Sequence, residues 1–244
     1  MKTLFTILGI VLTSNLWAQA PNFDDLKILY ADANYEKLVK VADGYINSEK
    51  TKKEIPPYFW AAKGLYKISL SGTDDENFKN AYKDAIGFLG KGMSYDVKYN
   101  DGAYSSEEQE FISMFQMSLV ETIENEVSIS SWKKAYSWSI KYQKIAGNLT
   151  GVYYMEGASK FFDADKTSAR DFWKKAEAEL VKIESVDNWS DADKKMLKMG
   201  VLYSAKALKD SRQVDKAKEL LGKVSQWFED DDYWKEKYDE IVNS

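Results

Sequence analysis

Proline is confined to the first quarter of this 244-residue chain: its three occurrences are Pro21, Pro56 and Pro57, and no ring that would break a helix lies downstream. Across that stretch apolar residues recur at intervals of three and four, the spacing that lines one face of an α-helix. Phe111, Met114, Phe115, Ser118, Leu119, Thr122 and Ile123 mark one such face. Alternation at intervals of two is scarce, and Val127 to Ile129 is too short for a strand. The chain is therefore expected to be all-α, with eleven helices at about 22–33, 35–48, 56–70, 75–92, 105–127, 130–146, 149–163, 168–184, 190–209, 213–227 and 232–242. Ser71-Gly72-Thr73-Asp74-Asp75, Gly147-Asn148 and the run from Ser185 to Ser190 supply the stops and caps between them. Ser105 and Glu108 stand in capping-box spacing before the long fifth helix. Gly90 to Ser105, rich in Gly, Tyr, Asn and Asp, is expected to be a long connection.

The second helix of each expected pair opens in the same way. Asn34-Tyr35-Glu36-Lys37-Leu38, Asn77-Phe78-Lys79-Asn80-Ala81, Ser131-Trp132-Lys133-Lys134-Ala135, Phe172-Trp173-Lys174-Lys175-Ala176 and Gln213-Val214-Asp215-Lys216-Ala217 share an apolar or aromatic residue, two polar residues, then Ala or Leu. The last residues stand at 38, 81, 135, 176 and 217, spaced 43, 54, 41 and 41 apart. A small side chain there lets the paired helix approach, while the aromatic wedges between neighbouring units.

This arrangement resembles the tetratricopeptide family, whose second helix opens with an aromatic-x-x-Ala pattern after a short turn. That family's first helix carries an aromatic and, four positions on, a small residue. Trp60 with Gly64 and Tyr153 with Gly157 match, and Val201 with Ala205 matches in weakened form. Ala205, Leu208, Val214, Ala217, Leu221 and Val224 keep the family's internal spacing in the last unit. The units are longer than the family's period of about 34 residues, and they lack its closing proline. The resemblance implies a right-handed α-solenoid of about five antiparallel helix pairs over residues 19–244, ended by a capping helix from Tyr233 to Val242. It also implies a concave face lined by first helices: Phe23, Lys27 and Tyr30; then Tyr58, Ala61 and Leu65; then Tyr154, Ala158 and Phe161; and last Met199, Leu202, Lys206 and Lys209. Such a mixture of aromatics and lysines suits an extended peptide or partner helix with some acidic character.

The N-terminal sequence has the form of a secretory signal peptide: basic Lys2, an apolar run from Leu4 to Leu16 and small residues at the exit. Cleavage is expected after Ala18, alternatively after Ala20, because the latter would leave Pro21 first in the mature chain. No later segment reaches the roughly 18 apolar residues of a spanning helix. With no Cys, the chain has no disulfide framework and no thiolate metal site. With no His, it has no imidazole base for a triad or near-neutral proton shuttle. A net charge of −5 with no basic stripe argues against nucleic acid.

The remaining chemical patterns read as structure. Glu121, Glu124 and Glu126 share a helix, and Glu229-Asp230-Asp231-Asp232 sits where a helix start favours negative charge. Aligning Asp96 to Glu108 as a calcium loop would put Val97 and Tyr99 at ligand positions, which neither side chain can fill. Gly87 to Gly92 lacks the Lys-Ser/Thr ending of a phosphate loop. Asn148-Leu149-Thr150 is a glycosylation sequon. Trp60, Trp132 and Trp173 fall at repeat positions and read as core; Trp138, Trp189 and Trp227 fall off them and are candidates for exposure. The expected function is that of an exported, non-enzymatic scaffold or adaptor, periplasmic or alternatively secreted. It would bind a protein or peptide on its concave face within a larger bacterial envelope assembly, with no metal or cofactor. The alternatives are a carbohydrate-binding module using exposed aromatics and a carboxylate-dependent glycan hydrolase.

Overall fold

The computed structural model describes residues 22–243, so the expected signal peptide and both of its cleavage sites lie outside the described residues. The helices are α1 (Asp24–Ala31), α2 (Tyr35–Asn47), α3 (Pro56–Ser71), α4 (Ala81–Asn100), α5 (Ala103–Glu107), α6 (Gln109–Ser128), α7 (Trp132–Tyr142), α8 (Thr150–Phe162), α9 (Lys166–Leu180), α10 (Asp191–Asp210), α11 (Val214–Val224) and α12 (Asp232–Val242). Short 3₁₀ turns cover Glu76–Phe78 and Ser225–Trp227, and no strand occurs among the described residues. None of these helices is long and apolar enough to cross a membrane.

The expected connection at 90–105 is a correction, because α4 runs on to Asn100. Packing overrides the low helix propensity of its glycines. A Cβ at Gly90 would lie 2.8 Å from the Lys144 carbonyl oxygen, and one at Gly92 would lie 3.0 Å from the Tyr58 Cβ, so bare backbone lets α4 settle against its neighbours. The expected capping box is also replaced. The buried Asp96 carboxylate accepts the Ser105 N–H at 2.6 Å and the Tyr104 N–H at 3.2 Å, while Glu108 pairs with Lys63 at 2.6 Å.

Four helix pairs are joined by one and the same turn. Ala33, Ser130, Ala164 and Arg212 adopt left-handed φ values of 54°, 57°, 66° and 61° in the α1–α2, α6–α7, α8–α9 and α10–α11 connections. In each, the next N–H reaches the carbonyl five residues back: Asn34 to Leu29 at 2.9 Å, Ser131 to Glu126 at 2.8 Å, Asp165 to Lys160 at 2.8 Å and Gln213 to Leu208 at 2.9 Å. This is the Schellman arrangement, which satisfies the last carbonyls of one helix while starting the next. Three residues beyond each helix start stand Leu38, Ala135, Ala169 and Ala217, all fully buried. The fourth unit's equivalent position is thus Ala169, two helical turns before the expected Ala176. The α3–α4 pair departs, turning through Gly72 at φ 74° and the short 3₁₀ segment.

The helices do not stack only on their sequential neighbours. α8 packs against α7, α9 and α10, and α6 reaches α10 directly, giving a more globular body than the simple solenoid expected. Glycine makes the α8–α10 contact close. A Cβ at Gly151 would stand 2.4 Å from the Leu197 nitrogen, and one at Gly200 would stand 2.4 Å from the Gly151 carbonyl oxygen. The Ser204 hydroxyl donates to the Tyr154 carbonyl at 2.9 Å and accepts the Trp173 indole N–H at 2.8 Å, tying α9 to the same crossing. Met155 and Met196 belong to the core shared with α3, α4, α6 and α7, whereas Tyr154 and Leu197 belong to the core shared with α9, α11 and α12.

Two acids are buried beside this crossing. Asp193 accepts the Tyr142 hydroxyl at 2.7 Å, the Gly147 N–H at 3.0 Å and the Ser190 hydroxyl at 3.1 Å, pinning the α7–α8 connection to the start of α10. Glu156, fully buried on α8, accepts only the Gln143 side-chain amide at 2.7 Å, and its second oxygen has no partner. Burial pushes the Glu156 carboxyl up to about 7, against the opposing influence of Lys175 and Gln143.

Three expectations follow from this architecture. Gly151→Ala should cost about 3 kcal/mol, because rigid backbone faces the new methyl. By contrast, Gly222→Ala, with nothing within 4 Å of its Cβ, should gain up to about 1 kcal/mol; urea midpoints of the pair check both signs. Ala164→Gly relieves a left-handed alanine and should raise stability by about 0.5–1 kcal/mol, read as an increase in melting temperature. For Glu156, ionisation is easier unfolded than folded, so its stabilising effect is full below pH ~4.5 and is lost as pH rises through about 7. Glu156→Gln should remove that dependence and be more stable than the parent at about pH 8, by an amount on the order of 3 kcal/mol; parallel pH slopes for both proteins would contradict this.

Candidate functional site

α10 has 20 residues, giving a rod about 30 Å long. Its inner face is spent on Met196, Leu197, Gly200, Val201, Ser204 and Ala205, all buried. On the other side Lys195, Lys198, Leu202, Lys206 and Lys209 follow at steps of three and four, so they form one lysine-bearing stripe, a correction to the expectation of none. Two walls rise beside it, α6 on one flank and α12 on the other, the latter started by Asp231, whose carboxylate accepts the Trp234 N–H at 2.8 Å. The negative run at Glu229–Asp232 therefore does the capping expected of it.

The walls enclose two joined clefts. One, of about 320 Å³, lies between α10 and α12, over Leu202 and Ile241 and beside Lys206, Lys209 and Lys237. The other, of about 340 Å³, lies toward α6, beside Glu124, Ser128, Lys195 and Lys198. They share Leu202, Tyr203 and Tyr233, which form a waist between them. A shallower recess of about 590 Å³ continues past Lys195 and Lys198 under Trp227 and Phe228. Together they make one groove along the outer face of α10.

Charge and aromatic rings alternate along this groove. Lys195 pairs with Glu124 of α6 at 2.6 Å, Lys198 pairs with Asp231, and Lys237 pairs with Glu240 at 2.9 Å. Burial works to raise Asp231, but the Lys198 ammonium and the Trp234 N–H outweigh it and hold the carboxyl below its ordinary range. Glu240 and then Glu236 hold the Lys237 ammonium above the usual lysine range. Lys209 donates to the Glu240 carbonyl at 2.7 Å. Tyr233 is 51% exposed, and the Lys198 and Lys237 nitrogens each lie 5.8 Å from its ring centre. Tyr203 meets Trp132 edge-on at 5.6 Å, Trp132 stacks on Phe162 at 4.4 Å, and Lys206 lies 5.9 Å above Phe162.

Of the residues assigned to a concave face, the groove gathers Met199, Leu202, Lys206 and Lys209. The others are dispersed. Phe23, Tyr58, Leu65 and Tyr154 are buried, Phe23 against Tyr45 and Tyr58 with its hydroxyl on the Lys52 carbonyl at 2.8 Å. Ala61 and Ala158 are core as well. Lys27 is exposed and pairs with Asp24, Tyr30 rests between Tyr35 and Trp60, and Phe161 packs on Trp173. Tyr203, Lys195, Lys198 and Lys237 complete the groove and were not singled out in the sequence, and with them stand Glu124 and Tyr233, named there only as a helix-face acid and as the start of the expected capping helix. The lysine stripe of α10 was readable at helical spacing, whereas Glu124 and Tyr233 arrive only through tertiary packing.

The tryptophans at repeat positions, Trp60, Trp132 and Trp173, are half-buried, as are Trp138, Trp189 and Trp227. The aromatic partners of the tryptophan rings are Tyr or Phe, and the Lys63 and Lys141 ammonium groups lie 4.5 Å and 4.7 Å from the Trp60 and Trp138 ring centres. Neither Glu156 nor Asp193 lines the groove. Among the described residues no group of three or more Asp, Glu, His or Cys could hold a metal ion. Comparison with protein-family models, with curated proteins and with solved structures gives no match to the chain.

Proposed function

We propose that this chain is a non-enzymatic protein-binding scaffold that seats a segment of its partner in the α10 groove. The observation that carries this reading is the groove itself: an apolar floor of Leu202 and Ile241, aromatic rings at the waist and charged side chains at the rim. Floor, anchor rings and polar rim are the recurring parts of a protein interface. Its length along α10 accommodates several residues of a partner, and its partly exposed tyrosine is the kind of rigid anchor on which binding energy concentrates.

The repeated Schellman turn supports taking the helix pairs as repeat units of a tetratricopeptide-like, right-handed array with α12 as its last helix. In this reading the array is folded in on itself where α6 meets α10. The N-terminal run from Leu4 to Leu16 supports export, and we place the scaffold in a bacterial envelope assembly, periplasmic in preference to secreted. The chain has no cysteine, so a single engineered thiol is a unique handle. Photo-crosslinker attached to the Ser128→Cys variant should capture a discrete protein partner in the native envelope, and adding Tyr233→Ala should reduce that adduct by about tenfold. The same label on the Asp43→Cys variant, on exposed α2, should capture none. Equal capture from both positions, or none from either, would remove the groove as the binding site.

A further inference from the structure

We propose that the α10 groove selects a carboxylate-rich segment of its protein partner, whose acids take over Lys195, Lys198 and Lys237 from the carboxylates that hold them in the free chain. This rests on the reading of the groove as a protein-binding site and adds the chemistry of the partner. The first support is the sign of the charge. The two joined clefts are lined by Lys195, Lys198, Lys206, Lys209 and Lys237 against Glu124, Asp210 and Glu240, in a chain whose net charge is −5. These two clefts are thus positive on a negative molecule and draw acidic groups to them, while the adjoining recess, lined by Asp191, Glu229, Asp230 and Asp231 as well as Lys194, Lys195 and Lys198, is acidic.

The second support is how these lysines are held. Glu124 comes from α6, Asp231 from the segment before α12 and Glu240 from α12, so each wall offers its own carboxylate to the groove. Side chains in these pairs remain 22–57% exposed, so each pair is worth little and can be exchanged at small cost. They act as placeholders for acids of a ligand. Lys206 has no ion pair among the described residues and stands exposed above Phe162, ready for a first contact.

The third support separates a polypeptide from an acidic polysaccharide. The Tyr233 ring is half exposed with the Lys198 and Lys237 ammonium groups each 5.8 Å from its centre, so acids held by those lysines would lie beside it. Leu202 and Ile241 at the floor offer a seat for apolar side chains between the acids.

The test is to pan a phage-displayed library of random dodecapeptides against the full chain and to measure the enriched peptides by fluorescence anisotropy. Enrichment of Asp and Glu beside apolar residues is expected. Lys206→Glu should weaken those peptides about tenfold, while Glu240→Gln, which removes a competing acid, should tighten them about threefold. An unchanged melting temperature of Lys206→Glu shows that the variant is folded. Neutral or basic enriched peptides whose binding is lost in Tyr233→Ala would overturn the acidic preference and leave the groove as a peptide site. Enriched peptides indifferent to all three substitutions, or no enrichment, would overturn both readings. Groove-dependent binding of polygalacturonate in place of any peptide would also overturn both.

Discussion

The backbone-to-backbone crossing of α8 and α10 at Gly151 and Gly200 is the constraint on which the rest of the molecule depends. With side chains of ordinary size there, the two helices would stand apart at the usual separation of about 8–10 Å. Bare glycine instead lets Ser204 reach the Tyr154 carbonyl and lets Met155 with Met196, and Tyr154 with Leu197, feed separate regions of the core. Asp193 locks the same crossing at its end by gathering Tyr142, Gly147 and Ser190. Once α10 is fixed by its inner face, its lysine stripe has only one direction in which to point. The groove is a consequence of how the opposite side of the helix is packed.

Within that groove, electrostatics and burial do different work. The lysine–carboxylate pairs are partly exposed, and pairs of this kind contribute about 0–1 kcal/mol each. Exchanging one carboxylate for another therefore changes partner choice and rate of encounter more than it changes affinity. Affinity would come from covering Leu202, Ile241 and the Tyr233 ring, at roughly 25 cal/mol per Å² of apolar surface removed from water. The two contributions sit side by side along one helix, which is what a specific but reversible contact requires.

Much of the architecture was legible in the chain. Apolar spacing located the long helices, and Leu38, Ala135 and Ala217, marked by the recurring pattern, are all fully buried at equivalent places. Ser190 and Asp231 cap helices where a cap was read. What escaped was whatever depends on a distant neighbour. Gly90 and Gly92 read as loop residues because nothing local shows that Lys144 and Tyr58 press against them. The shared turn was invisible because Ala33, Ser130, Ala164 and Arg212 have no chemistry in common, and the usual glycine is absent from all four. That omission also shifted the fourth unit to Ala176. In the groove, Lys206 and Lys209 were marked through the tetratricopeptide resemblance, but Glu124 and Tyr233 belong to it only because α6 and α12 fold back onto α10.

That folding back has a kinetic side. Most helices touch those next to them in the chain, joined by turns a few residues long, and contacts of that kind form quickly. The contact of α6 with α10 instead closes a loop spanning residues 129–190, with a larger entropic cost of closure. The floor, the α6 wall and the α12 wall thus come together only once α6 has met α10 across that loop. A nascent or damaged molecule can hold every one of its helix pairs and still have no groove. If the groove binds as proposed, its occupancy would be a certificate of completed folding, and a bound partner would act as a clasp whose grip adds to the stability of the whole.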